Sequence, residues 1–186
     1  MARSDDALRR VKRVYEVAHL GAAARALIVA GVLVLVAIGL YRVTRATYVV
    51  AAALALTMSV LAWRGGAWRR GAFAGVLAGL PPLVIPSIAW TLSSNAGHCN
   101  NCEINATLPC LVACFGTGSL VGILVGYRAI SDASPRRFGL AAITTAALGG
   151  LLGCGTTGLG GATGVVVGLV IGGVAGWIVA GRTAHA

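Results

Sequence analysis

The residues of this chain with the most evident chemistry are its five cysteines, four of which lie in one short stretch. Residues 97–118 read GHCNNCEINATLPCLVACFGTG. The stretch contains His98, Cys99, Cys102, Cys110 and Cys114. The fifth cysteine, Cys154, lies 40 residues beyond Cys114. Thiols form disulfides in oxidising compartments and bind soft metals when ionised, so the location of these residues decides their chemistry.

Three interpretations of the cysteines are open. In the first, they form structural disulfides or act as buried apolar thiols. In the second, a disulfide forms and breaks and thereby changes helix packing. In the third, zinc or another soft metal binds them, with no other cofactor required. The metal ligands would then be His98, Cys99, Cys102 and one of Cys110 or Cys114.

Composition indicates a membrane protein. The chain has 186 residues, of which 58% are hydrophobic and 11% are charged, and its mean hydropathy is +0.86. A soluble domain of this size would have too little polar surface to cover such a core. The net charge of +10 comes from basic residues between apolar runs, a distribution typical of membrane orientation signals, so no direct contact with nucleic acid is expected.

Six apolar segments predict an all-α bundle of six transmembrane helices. They cover residues 22–41, 46–63, 71–93, 108–127, 138–154 and 162–181. Each is near the length that crosses roughly 30 Å of hydrocarbon at about 1.5 Å per residue. Pro81, Pro82 and Pro86 predict a kink or a broken helix in the third segment. We therefore divide the chain into a basic tail (1–21) and a membrane domain (22–182) with a Cys-rich loop (94–107).

The distribution of Lys and Arg predicts that both termini are cytoplasmic in a bacterial inner membrane. With six spans and the N-terminus inside, the tail with Arg25 holds six of these residues, the two inner loops hold three each and Arg182 adds one. This makes 13 of 15, and only Arg42 and Arg45 fall outside. The loop 94–107 and Cys154 then lie together at the outer face.

The tail has the pattern of a basic amphipathic helix. Leu8, Val11, Tyr15 and Ala18 recur at helical spacing, opposite the basic residues. The residues that would contact a partner are Arg9, Arg10, Lys12, Arg13 and Tyr15. Such a helix either anchors on the anionic inner leaflet of the bilayer or docks a cytoplasmic protein.

Glycines at every fourth position predict close helix packing. The ridge in the last span consists of Gly160, Gly164, Gly168, Gly172 and Gly176. Similar ridges in the third and fourth spans begin at Gly71 and Gly118. The ridges favour packing within one bundle, with homodimerisation as the alternative.

Catalysis is not the expected role. The sequence contains no recognisable set of nucleophile, base and orienting residue, and no phosphate-binding loop. Glu103 and Asp132, the acidic residues outside the tail, both fall in predicted loops, which disfavours an ion-coupled transporter.

The second half of the chain resembles the NrsF-type family of six-helix membrane anti-sigma factors. The resemblance covers residues 108–182. It rests on an outer cysteine at the head of the fourth span, the loop ISDASPRRFG, the run LAAITTAALGGLLGCG that contains Cys154, and a closing glycine-rich span. It implies that the chain holds a sigma factor at the inner membrane and releases it under extracytoplasmic stress. It also implies two sensing cysteines, which would be Cys154 and one of Cys110 or Cys114.

The leading hypothesis is thus a stress sensor and anti-sigma factor that responds to oxidation of, or metal binding by, its outer cysteines. The alternative is a membrane thiol-disulfide oxidoreductase in which Cys99 and Cys102 exchange with the other cysteines. A small permease or scaffold subunit is a third interpretation.

Overall fold

The described residues of the computed structural model form six α-helices and no β-strand. The structure describes residues 2–40, 44–95, 107–154 and 159–183. The helices are α1 (Ala2–Leu40), α2 (Arg45–Arg64), α3 (Gly66–Asn95), α4 (Thr107–Ile130), α5 (Pro135–Cys154) and α6 (Leu159–Thr183). The predicted all-α class is confirmed, and each predicted apolar segment corresponds to one helix.

Five of the helices, within the described residues, are long and apolar enough to cross a membrane. Large apolar side chains cover their outer surfaces; Leu35, Leu56 and Leu124, for example, are each more than 65% exposed. Water would disfavour so much exposed apolar surface, whereas lipid tails solvate it. These are the properties of a helical membrane protein.

α4 and α6 share the most extensive helix contact in the bundle. The two helices run parallel, because Gly118 of α4 lies against Val165 of α6 and Gly126 lies against Gly173. Four glycines of the predicted α6 ridge face the α4 backbone, namely Gly164, Gly168, Gly172 and Gly176. The first member of that ridge, Gly160, is less closely packed: of the described residues, the Leu111 side chain alone lies within 4 Å of its Cβ position.

α3 and α5 form a second parallel pair of the same kind. Gly71 and Gly75 of α3 lie so close to α5 that a Cβ atom on either would collide with α5 backbone atoms. Further along, Leu83 of α3 reaches Gly153 of α5. The two glycine-lined contacts, α3–α5 and α4–α6, are called the seams below.

α1 and α2 pack against the seams through larger side chains. One buried cluster joins Leu33 of α1 and Met58 of α2 to Val76 of α3 and Leu152 of α5. A second buried cluster lies within α3 to α6 and includes both Cys114 and Cys154. In one half of the core the helices therefore pack through side chains, and in the other half they pack backbone against backbone.

Both turns that the structure describes in full lie at one end of the bundle. Gly65 and Gly66 have positive φ angles of 68° and 54°, which lets α2 pass into α3 within two residues. Residues 131–134 join α4 to α5. We call this the basic end, because it carries Arg64, Arg69, Arg70, Arg128, Arg136 and Arg137. We call the opposite end of the bundle, where α5 ends, the disulfide end, because it carries the bond described below.

One local expectation differs in part from the structure. α3 continues as one helix through Pro81, Pro82 and Pro86 to Asn95, so the predicted break is absent, while the predicted kink stays a prediction. α1 is one helix of 39 residues that contains both the predicted tail and the first span. At about 1.5 Å per residue α1 is about 58 Å long, roughly twice the hydrocarbon thickness.

Candidate functional site

A disulfide bond joins Cys114 to Cys154. Cys114 lies two turns into α4, and Cys154 is the last residue of α5. Both residues are fully buried, and their Cα atoms are 6.6 Å apart. The bond therefore closes the open end of the α4–α5 hairpin, whose other end is the loop 131–134.

Four helices meet at this disulfide. On the α3 side, the Pro82 carbonyl oxygen lies 3.5 Å from Cys154 Sγ. On the α6 side, a Cβ atom at Gly164 would lie 3.6 Å from Cys114 Cβ. Gly150 of α5 fits between Pro82 and Val165, with no room for a larger residue. Because such close-packed interiors transmit displacement, any change in the separation of the two sulfurs acts on α3, α4, α5 and α6 together.

The carbonyl of Pro82 is chemically distinctive. In an α-helix this oxygen would accept from the backbone N–H four residues later, but that residue is Pro86, which has no N–H. A reduced Cys154 would carry an S–H group able to donate to this oxygen, since a thiol is a weak hydrogen-bond donor. A disulfide sulfur carries no hydrogen to donate. Reduction of Cys154 would therefore add a hydrogen-bond donor beside this α3 carbonyl.

The structure describes only some of the other residues that were predicted to form disulfides or bind a metal. Cys110 lies in α4 one turn before Cys114, and its side chain is outside the described residues. The predicted ligands His98, Cys99 and Cys102 also lie outside them. Within the part of the chain that the structure describes, no cluster of three or more His, Cys, Asp or Glu residues has the arrangement of a metal site.

The predicted partner-binding residues lie on the N-terminal part of α1, at the basic end. His19 fixes this position, because its ring packs edge-on against Trp63 at the end of α2. Lys12, Arg13 and Tyr15 are exposed, as is every residue from 12 to 18. Arg9 and Arg10 belong to the same helix, and their side chains lie outside the described residues. The segment 12–18 thus extends beyond the bundle.

An ion pair at the basic end was not predicted from the sequence. Arg70 of α3 binds Asp132 in the α4–α5 loop through two hydrogen bonds, Nε to Oδ2 at 2.9 Å and Nη2 to Oδ1 at 3.0 Å. The backbone N–H of Ser134 also donates to Asp132 Oδ1, at 3.0 Å. The hydrogen bond from Arg70, and then that from Ser134, lower the pKa of Asp132 below its usual value. The one sequence signal for this pair is that Asp132 is the single acidic residue among the basic loops.

Comparison with known proteins finds no family model, no curated protein and no solved structure that matches the chain.

Proposed function

We propose that this chain is a bacterial inner-membrane stress sensor and anti-sigma factor with six spans and both termini in the cytoplasm. It holds a sigma factor at the membrane and releases it when its outer cysteines are oxidised or bind a soft metal. The observation that carries the proposal is the buried Cys114–Cys154 bond at the junction of four helices.

The arrangement of charge supports this orientation. Six of the basic residues near the interhelical turns lie at the end opposite the disulfide, whereas Arg42 and Arg45 lie at the connection of α1 to α2. Lys and Arg favour the cytoplasmic side of a membrane. The N-terminal part of α1 and the C-terminal part of α6 lie at that same basic end. The disulfide end would then face the extracytoplasmic space, where disulfides persist.

The bond provides a two-state device. On oxidation the thiols of Cys114 and Cys154 form one S–S bond and give two electrons and two protons to an extracytoplasmic oxidant. Bonding draws the sulfurs much closer than van der Waals contact allows, so α4 and α5 must shift relative to each other. A bias of about 2–4 kcal/mol between the two helix arrangements would change their population ratio by roughly 30-fold to several hundred-fold.

The cytoplasmic readout would use the exposed segment 12–18 of α1. Lys12 and Arg13 provide positive charge, and Tyr15 provides an exposed aromatic side chain. Such a helix suits an acidic groove on a sigma factor, because an amphipathic helix docks by its apolar face and charge sets its partner. In the disulfide-bonded form, the shifted bundle would present this segment with lower affinity.

The test is co-expression of the tagged chain with candidate sigma factors, followed by pull-down from membranes under reducing and oxidising conditions. We expect the wild type to retain a sigma factor when reduced and to lose it when oxidised. The Cys154→Ser variant should retain it under both conditions. Cys110→Ser is the matched control and should behave as the wild type. Recovery of no transcription factor under any condition would overturn the proposal.

The thiol-disulfide oxidoreductase is the second candidate, because a disulfide exists. Its exchanging pair, Cys99 and Cys102, lies outside the described residues. This candidate predicts turnover with a quinone or a thioredoxin-like partner, and loss of that turnover in Cys102→Ser.

A further inference from the structure

A groove of about 430 Å³ lies between α4, α5 and α6 at the basic end. Its floor is the buried part of the lining, which has one glycine from each helix, namely Gly126, Gly139 and Gly173, together with Val125 and Ala129 of α4. Its rim consists of exposed apolar side chains, among them Val174, Trp177 and Ile178. A buried floor with an exposed apolar rim is a channel open toward the lipid.

The groove is deepest where glycines in its floor carry no side chain. A Cβ atom at Gly139 would lie 3.7 Å from Ala129 Cβ and 4.0 Å from Trp177 Cζ3, which are ordinary contact distances. No seam contact therefore requires glycine at position 139, in contrast to Gly126, where a Cβ atom would collide with the backbone of α6.

One charged residue lines the groove. Arg136 lies in the first turn of α5, and Gly139, Leu140 and Ile143 follow it at helical spacings of three, four and seven residues on the same face. Arg136 is exposed, and the only ion pair among the described residues is that of Arg70 with Asp132. The groove is therefore apolar along its depth and positively charged at the basic end.

We propose that this groove binds an anionic glycerophospholipid, with an acyl chain along the glycine floor and the phosphate at the guanidinium of Arg136. Bulk lipid tails would offer any acyl chain the same apolar contact, so the groove can select among lipids only through the headgroup. A cation between helices at a membrane face selects for negative charge. Trp177 at the rim has the amphipathic ring typical of the interface.

This inference does not depend on the sensor proposal. The groove lies at the opposite end of α5 from Cys154, and it would bind lipid whether or not the chain holds a sigma factor. Failure of the pull-down would leave it unaffected.

The first test is native mass spectrometry of the purified full-length chain with phosphatidylglycerol and phosphatidylcholine of identical acyl chains. We expect the wild type to retain the anionic lipid about fivefold better, which corresponds to about 1 kcal/mol for one arginine at an anionic headgroup. Arg136→Gln should abolish that preference. Arg137→Gln is the matched control, because Arg137 is an exposed neighbour that does not line the groove, and it should keep the preference.

The second test asks where the acyl chain lies. Phosphatidylglycerol with brominated chains should quench the fluorescence of Trp177, measured as the difference between the wild type and Trp177→Phe. Gly139→Leu should reduce this quenching by filling the floor. Equal loss of lipid preference in Arg136→Gln and Arg137→Gln would overturn the proposal, as would absence of Trp177 quenching in the wild type.

Discussion

Within the described residues, a covalent link lies at one end of the bundle and an ion pair at the other, and the two links differ in kind. At the disulfide end, Cys114 and Cys154 are bonded and fully buried. At the basic end, Arg70 pairs with Asp132, and the Arg70 side chain is 55% exposed. The first link responds to redox potential and the second to pH and salt, because water and ions reach only the second.

The two seams connect these ends. Along α3–α5 and α4–α6, glycines bring helix backbones into direct contact, with no flexible side chains between them. A displacement at the disulfide would therefore be carried along the helices toward the basic end. α1 and α2, packed through residues such as Met58, have softer contacts.

The largest effect should come from removing the disulfide. Cys154→Ser should lower the free energy of unfolding by about 2–4 kcal/mol, because the bond constrains a loop of 40 residues in the unfolded chain. The measurement is denaturant unfolding in detergent micelles without reductant. Cys110→Ser should show no such loss. Equal losses in Cys154→Ser and Cys110→Ser would mean that the Cys114–Cys154 bond is not the link that distinguishes the disulfide end.

The next effect should come from a seam. In α4, a Cβ atom at Gly122 would lie 2.5 Å from the Leu169 carbonyl oxygen, whereas at Gly116 nothing lies within 4 Å. Gly122→Leu should therefore cost about 1–3 kcal/mol by overpacking. Gly116→Leu should cost little in the same unfolding assay. A bundle that tolerates both substitutions would have no rigid connection between its ends.

Much of the fold could be predicted from the sequence, because apolar length alone defines membrane helices. The pairing of Cys154 could not be predicted. Cys110 and Cys114 share one face of α4, and counting outward from the loop 131–134 places Cys110 level with Cys154. The structure pairs Cys114 instead, because the offset between α4 and α5 depends on how each helix packs against its seam partner, and no local pattern encodes that offset.

The continuity of α3 was also beyond local patterns. Prolines predict a kink or a break in a helix, but neighbouring helices can support a helix that has lost backbone hydrogen bonds. The ion pair of Arg70 with Asp132 links residues 62 positions apart, so only the packing of α3 beside α5 reveals it. The groove at Arg136 likewise exists only once α4, α5 and α6 are assembled.

A smaller effect should follow from removing a hydroxyl group in the α3–α5 seam, at a position between the two ends of the bundle. Thr145 of α5 is buried, and its hydroxyl lies 2.8 Å from the Ala141 carbonyl oxygen of its own helix and 3.1 Å from the Ala72 carbonyl oxygen of α3. Thr145→Val should cost about 0.6–1.7 kcal/mol, the range for hydrogen bonds between membrane helices. Its neighbour Thr144 is exposed and donates to Leu140 in its own helix, so Thr144→Val is the control. Equal costs would show that the hydroxyl does not link the seam.

The smallest effect should come from the basic end, and it should depend on pH. Since the pKa of Asp132 is lowered in the folded protein, the ion pair stabilises the fold above the usual Asp pKa of about 3.9. That stabilisation is lost as the pH falls through the lowered value. The melting temperature of the wild type should exceed that of Asp132→Asn near pH 6, and the two should converge in acid.

High salt should reduce the difference in melting temperature between the wild type and Asp132→Asn, because solvent reaches the ion pair of Arg70 with Asp132. Salt should leave the cost of Cys154→Ser unchanged, because a buried covalent bond is not screened. Reductant should do the reverse. It should remove the stability difference between the wild type and Cys154→Ser, and it should leave the difference between the wild type and Asp132→Asn unchanged. If salt and reductant acted on both variants alike, the links would not be separate, and the contrast between the two ends would fail.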